Sequence, residues 1–128
     1  MTELVIIGRP VSQKNSRTVK RFGRRMIPTA DPRVKAYKGE AMLQLRGQWR
    51  GRKTINGDVF VSLVVYQAKG QAIDLDNAIQ APLDSLQAAG IIMNDYQVAQ
   101  IHARRDRDQE NPRVELWIEE LEDSGETP

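Results

Sequence analysis

The stretch "DVFVSLVVYQA" (58–68) limits the possible folds of this chain more than any other. Val59, Val61, Leu63 and Val65 alternate onto one side, while Phe60, Val64 and Tyr66 fall on the other. A strand that is apolar on both faces belongs inside a sheet, with cover on both sides. The rest of the chain must therefore supply neighbouring strands and covering helices.

It has the pieces to do so. "LVII" (4–7) fits a buried strand ending at Gly8, with Pro10 just beyond. In "TADPRVKAYKGEAMLQLRGQW", Asp31 is placed to cap a helix and Pro32 to occupy its first position, where a missing N–H costs nothing. Val34, Tyr37, Ala41, Leu45 and Trp49 then form one apolar stripe, with Gly47 weakening the last turn. A second helix carries Ile79, Leu83 and Leu86 and stops at Gly90; Pro82 requires it to begin near residue 78 or to bend. After a turn at Asn94–Asp95, "YQVAQIHARRD" and "RVELWIEE" read as two strands expected to pair as a hairpin. The order β-α-β-α-β-β gives an α+β (α/β) fold, a mixed sheet covered by helices. One domain over residues 1–120 and an acidic, disordered tail over 121–128 are expected.

The chain has 128 residues and no cysteine, which excludes disulfides, thiolate nucleophiles and cysteine-held zinc. No apolar run approaches the roughly 20 residues that cross a bilayer, and the N-terminus does not read as a signal peptide. A cytoplasmic protein with no membrane partner is expected. Net charge is only +2, yet the charge is divided along the chain. Residues 1–53 carry 14 Lys and Arg against 3 Asp and Glu, and residues 54–128 carry 5 against 14. "KNSRTVKRFGRR" (14–25) holds six basic residues and no acid, and it reads as a long loop that attracts phosphates. RNA, DNA and acidic lipid are not separated by this feature, and a solvated loop has the same composition.

"AIDLDNAIQ" (72–80) places Asp74 and Asp76 two positions apart with no basic residue beside them. If residues 72–76 are extended, both side chains point to one side, about 7 Å apart between Cα atoms, with Leu75 facing the core. Hard carboxylate oxygens at that spacing suit Mg²⁺ or Mn²⁺. Asp95 is a third acid whose approach depends on how the intervening helix returns along the sheet. Each acid also has an ordinary reading, Asp76 or Asn77 as a helix cap and Asp95 as a turn residue. An acidic metal site beside a basic surface is what metal-assisted phosphodiester cleavage requires.

Taken in order, "DLDN" (74–77), "LDSLQAAGII" (83–92), "ND" (94–95) and "QV" (97–98) resemble the RusA-type Holliday junction resolvases. The resemblance is close over residues 73–120 and looser at "RPVSQKNSR" (9–17). It implies a homodimeric, Mg²⁺-dependent endonuclease, with Mn²⁺ able to substitute and no organic cofactor. Such an enzyme makes paired, symmetric nicks in four-way DNA during recombination and repair, for a chromosome or a prophage. The family's catalytic, metal-holding aspartates map onto Asp74, Asp76 and Asp95.

Lys14, Asn15 and Arg17, with Lys20, Arg21, Arg24 and Arg25 of the same basic block, are candidates to grip DNA. Two departures stand out. The family's lysine, four residues after the second aspartate, is Gln80 here, with Lys69 and Lys14 as chemical substitutes. The first acid of the family's acidic pair is Asn94. Gln80 keeps open an attenuated or non-catalytic protein that binds branched DNA on the same fold; a phosphohydrolase of small phosphoesters is a further alternative. His102 as a general base, Asp84 as a ligand, and Trp49 or Trp117 as base-stacking platforms are weaker readings than strand, helix-face and core positions.

Overall fold

A computed structural model describes residues 1–13, 18–22, 25–29 and 31–122, with side chains described for 1–13 and 31–122. The elements are β1 (Thr2–Ile7), β2 (Thr18–Phe22), β3 (Arg25–Thr29), α1 (Pro32–Gln48), β4 (Val59–Gln67), α2 (Leu75–Ala88), a 3-10 turn (Asp95–Gln97), β5 (Val98–Arg107) and β6 (Arg113–Glu120). Four strands make a mixed sheet in the order β1-β6-β4-β5. As its two apolar faces require, β4 is interior, antiparallel to β6 on one side and parallel to β5 on the other. The β-α-β-α-β-β order stands, with one addition. The stretch read as a basic loop contains a two-stranded ladder, β2 with β3, running from Thr18↔Thr29 to Phe22↔Arg25. Few apolar residues and a proline at the Val19↔Pro28 position hide its period of two.

The last two strands are not a hairpin. β5 and β6 flank β4 instead of pairing with each other. Their link crosses the end of β4, where the Asp108 N–H donates to the Gln67 carbonyl at 3.2 Å. Arg113 fixes the crossing, binding Asp108 Oδ2 at 2.8 Å and stacking 3.9 Å from the centre of the Tyr66 ring. A hairpin would have left β4 with an unpaired edge; threading it between the two gives its peptide groups partners on both sides.

Among the described residues helical cover lies on one face, not on both as the two apolar faces of β4 suggested. Val59, Val61, Leu63 and Val65 join Leu4, Ile6, Val114, Leu116 and Ile118 in one core cluster with both helices. Phe60, Ser62, Val64 and Trp117 line an open depression on the other face, away from that cluster. On α1 the Asp31 carboxylate accepts the Arg33 N–H at 2.9 Å, and Val34, Ala41, Leu45 and Trp49 are buried as the stripe requires. α2 begins at Leu75, earlier than Pro82 suggests, and Pro82 lies buried inside it. The helix runs on past the missing N–H because burial of Ala81, Pro82, Ser85 and Leu86 holds that turn in place. It stops at Gly90, whose φ of 79° lets its N–H reach the Gln87 carbonyl and the Ile91 N–H reach the Leu86 carbonyl, each at 3.0 Å.

Of the expected tail over 121–128, residues 123–128 lie outside the described residues, and the Leu121 N–H donates to the Asp58 carbonyl at 2.9 Å. Among the described residues no helix is long and apolar enough to cross a membrane.

Candidate metal centre and nucleic-acid interface

Because β4 and β5 are parallel, the chain between them must travel the length of the sheet, and α2 makes that journey. Its 14 residues span about 21 Å. Asp74 and Asp76 therefore stand where β4 ends, and Asp95 stands where β5 begins, beside the Val59↔Val98 pair. The Asp95 N–H is held by Gln87 Oε1 at 3.2 Å, which puts it at the last turn of α2, about 16 Å along the axis from Asp76. Among the described residues no three of His, Cys, Asp and Glu stand close enough to hold a metal ion. The convergence of all three aspartates within one chain, expected from the sequence, does not occur. A parallel crossover separates the residue before its helix from the residue after it.

The first pair is nonetheless placed with care. Ile73, 4% exposed, anchors the approach to α2; its carbonyl accepts from Gln67 Nε2 at 3.3 Å and from Arg105 Nη1 at 3.1 Å. Asp74 is the N-cap residue, extended at φ −65° and ψ 134°, but its side chain makes no capping bond. Its backbone carbonyl instead accepts the Asn77 and Ala78 N–H groups at 3.1 and 3.0 Å. Asp76 lies in the first helical turn, so the expected extended run over 72–76 ends at Asp74. Both aspartates are exposed, as is Asp95, and none of the three carboxylates has an ion-pair or hydrogen-bond partner among the described residues. Two free, exposed carboxylates fit the hard-oxygen chemistry of a divalent ion, and a third would complete a set.

Further along α2, Asp84 collects three donors. Lys38 Nζ from α1 stands 2.8 Å from Oδ2, Gln13 Nε2 3.2 Å from the same oxygen, and Gln80 Nε2 3.0 Å from Oδ1. Burial pushes the Asp84 carboxyl up, but the bonds from Lys38, Gln80 and Gln13 outweigh it and hold the pKa below the usual carboxylate value. Gln80 is thus bound in a cluster where the family has a lysine, and the nearby ammonium is that of Lys38. Lys69 is exposed in the turn after β4. Gln13 also donates its backbone N–H to the Asn77 carbonyl at 2.8 Å, so the root of the basic segment docks on the first turn of α2. Sequence reading missed Lys38, Gln13 and Arg105. For Lys38 a signal existed, since it lies four residues after Val34 and three before Ala41, beside the buried stripe.

The far end of α2 is equally well fixed. Asn94 caps the 3-10 turn, accepting the Tyr96 N–H at 2.9 Å. Gln97, 8% exposed, accepts the Met93 and Asn94 N–H groups at 2.7 and 2.9 Å and donates to the Ile55 and Gly57 carbonyls, both at 2.8 Å. An amide serves at residue 94 because its work is capping.

Of the expected DNA-gripping residues, Lys14, Asn15, Arg17 and Arg24 lie outside the described residues, and Lys20, Arg21 and Arg25 are placed only by their strands, β2 and β3. A cleft of about 600 Å³ opens between Arg9–Ser12, the start of α1, Gln71 and Ile73. His102 is exposed on the sheet face away from the helices, and Trp49 is a core residue whose Nε1 donates to the Lys53 carbonyl at 3.2 Å.

A single α+β domain with a carboxylate pair at a helix head and a basic ladder rooted beside it has the parts of a nuclease. The model of the family described as Endodeoxyribonuclease RusA matches residues 8–119. The chain belongs to that family, and so is an endodeoxyribonuclease of the Holliday junction resolvase kind. It is also similar to the crossover junction endodeoxyribonuclease RusA of Aquifex aeolicus (strain VF5), at 27% identity over 100 residues, 78% of this chain and 76% of that protein.

Proposed function

We propose that this protein resolves four-way DNA junctions as a homodimer, making paired, symmetric nicks with Mg²⁺, for which Mn²⁺ can substitute. Asp74 and Asp76 of one subunit and the partner subunit's Asp95 would hold the ion, so that each dimer carries two sites. The observation that carries this reading is the pair of exposed carboxylates at the head of α2, free of cationic partners among the described residues, in a chain of this family. What supports sharing the site between subunits is α2, which keeps Asp95 a helix length away from its own Asp76.

When bound, a divalent ion would polarise the scissile phosphodiester and favour ionisation of the attacking water. The chain's own residues do the rest. The basic ladder Thr18–Thr29 with Lys14, Asn15 and Arg17 draws in the phosphates, Lys69 lies in the turn that follows β4, ahead of Asp74 in the chain, and Arg105 orients the Asp74 approach through the Ile73 carbonyl. A cysteine-free chain with a DNA substrate fits action in the cytoplasm.

The test is nicking of a labelled four-way junction with and without Mg²⁺, beside linear duplex. Metal-dependent nicks confined to the junction are expected, and Asp76→Asn should abolish them while binding survives or tightens. Full cleavage by that variant refutes the assignment. Gln80, bound to Asp84 where a free lysine is the family's choice, favours one second reading: a branched-DNA binder with attenuated or no turnover, supported if wild-type protein binds the junction and leaves it whole.

A further inference from the structure

Several cations of this chain are bound to acids: Lys38 to Asp84 at 2.8 Å, Arg113 to Asp108 at 2.8 Å and Arg104 to Asp106 at 3.5 Å. Gln80, one turn past Asp76, is a neutral amide that donates to Asp84 Oδ1 at 3.0 Å. Arg105 is placed otherwise. Its Nη1 donates to the Ile73 carbonyl at 3.1 Å, one residue before Asp74, and it forms no ion pair among the described residues.

The fold does not need a charge there. The Ile73 carbonyl already accepts from Gln67 Nε2 at 3.3 Å, and Gln67, 1% exposed, is a neutral amide able to hold the approach to α2 alone. Arg105 pairs in register with Val65, which belongs to the core cluster under the helices, so its side chain leaves the sheet on the α2 face. It is exposed nonetheless. A guanidinium presents five N–H donors in a flat fork, and the Ile73 carbonyl takes one of them. Among the described residues nothing else takes the rest.

We propose that Arg105 is a catalytic residue that binds a non-bridging oxygen of the DNA phosphate held at Asp74 and Asp76. The proposal rests on the metal-site reading above and names the protein group that faces the phosphate there. One edge of the fork stays on the Ile73 carbonyl, which ties the guanidinium to the residue before Asp74; the other edge donates to the phosphate. An arginine already anchored at one edge loses little freedom when the other edge binds. In the hydrolysis, the oxygen of water bonds to phosphorus, one P–O ester bond breaks, and the leaving sugar oxygen takes up a proton. Arg105 gives up no proton. It stabilises the negative charge that gathers on the non-bridging oxygens.

Two variants separate charge from scaffold. Arg105→Gln keeps an N–H donor for the Ile73 carbonyl without the charge, and Arg105→Ala removes both. Each should slow single-turnover nicking of a labelled four-way junction in Mg²⁺ by about 10²–10³-fold while keeping its circular dichroism. Added guanidinium ion should restore part of the rate to Arg105→Ala and none to Asp76→Asn, a rescue that a structural role does not give. A second readout needs neither metal nor turnover. Phosphates beside the branch point are neutralised one at a time as methylphosphonates, and binding is measured in EDTA. Wild type should bind the fully charged junction about tenfold more tightly than Arg105→Gln, and the gap should vanish at one neutralised position. Arg105→Gln that nicks as fast as an active wild type overturns the proposal, as does a gap that is absent or that persists at every position. A gap that vanishes at one position, in protein that nicks nothing or is untouched by Asp76→Asn, keeps the phosphate contact and removes the metal-site reading. Nicking lost in Asp76→Asn but kept in Arg105→Gln does the reverse.

Discussion

Gln87 accepts the Asp95 backbone N–H through its side-chain oxygen at 3.2 Å, which pins the third carboxylate to the last turn of the helix whose first turn carries Asp76. Asp95 lies in the 3-10 turn tied to the end of α2, about 16 Å along the helix axis from Asp76. Subunit mixing follows as a prediction. Asp76→Asn and Asp95→Asn are each expected to lose junction nicking. Combined as heterodimers they should regain one intact site out of two, seen as single nicks instead of paired ones. A mixture as inactive as its parents would show that the site is not shared.

Asp84 joins α1, α2 and the root of the basic segment, and its charge matters for stability. Its folded pKa lies below the usual value, so its contribution is fully present above the unfolded pKa and is lost as pH falls through the folded value. Asp84→Asn should cost about 1 kcal/mol at pH 7, since the pair with Lys38 is partly exposed. Urea melts of both proteins at pH 7 and at a series of pH values falling below the usual carboxylate range check it; the gap should close in acid.

Gln97 holds the Asp95 turn with four hydrogen bonds. Gln97→Leu keeps the volume and strands two N–H groups and two carbonyls, one of the bonds being buried and the other three part-buried. A loss of about 2–4 kcal/mol is expected in chemical denaturation. The carboxylates themselves are untouched, so Mg²⁺-dependent nicking below the melting range should fall only through misplacement of Asp95.

Junction binding should weaken steeply as salt rises, because the basic segment displaces counterions from phosphates. Replacing both Lys20 and Arg21 with Ala should lower the slope of log K against log salt by about 2, read by fluorescence anisotropy in EDTA.

The sequence showed the architecture where side-chain period and caps speak directly. The interior place of β4, the Asp31 cap, the stripe from Val34 to Trp49 and the stop at Gly90 stand as read, while the cover expected on both faces of β4 is found on one among the described residues. It misled where neighbours in sequence are not neighbours in space. "YQVAQIHARRD" and "RVELWIEE" have the spacing of a hairpin, and nothing local in them reveals that β4 lies between. The same holds for the site. Asp74 and Asp76 were legible as an unneutralised pair, but the distance to Asp95 depends on a parallel crossover, which only pairing partners define. The Lys38–Asp84–Gln80 cluster joins two helices and was visible only as a charge beside an apolar stripe.

That cluster leads to the last prediction. Gln80 lies one turn past Asp76, and helical side chains lean toward the N-terminus, so a longer cationic chain at this position reaches back toward the carboxylate pair. Asp84 already receives Lys38 on Oδ2, and losing the amide at Oδ1 leaves it paired. Gln80→Lys should therefore fold normally and place an ammonium where charge develops on a phosphate, raising single-turnover junction cleavage about tenfold with little change in junction affinity. An unchanged rate would mean that Lys38, held 2.8 Å from Asp84, already supplies the field that the family takes from its lysine.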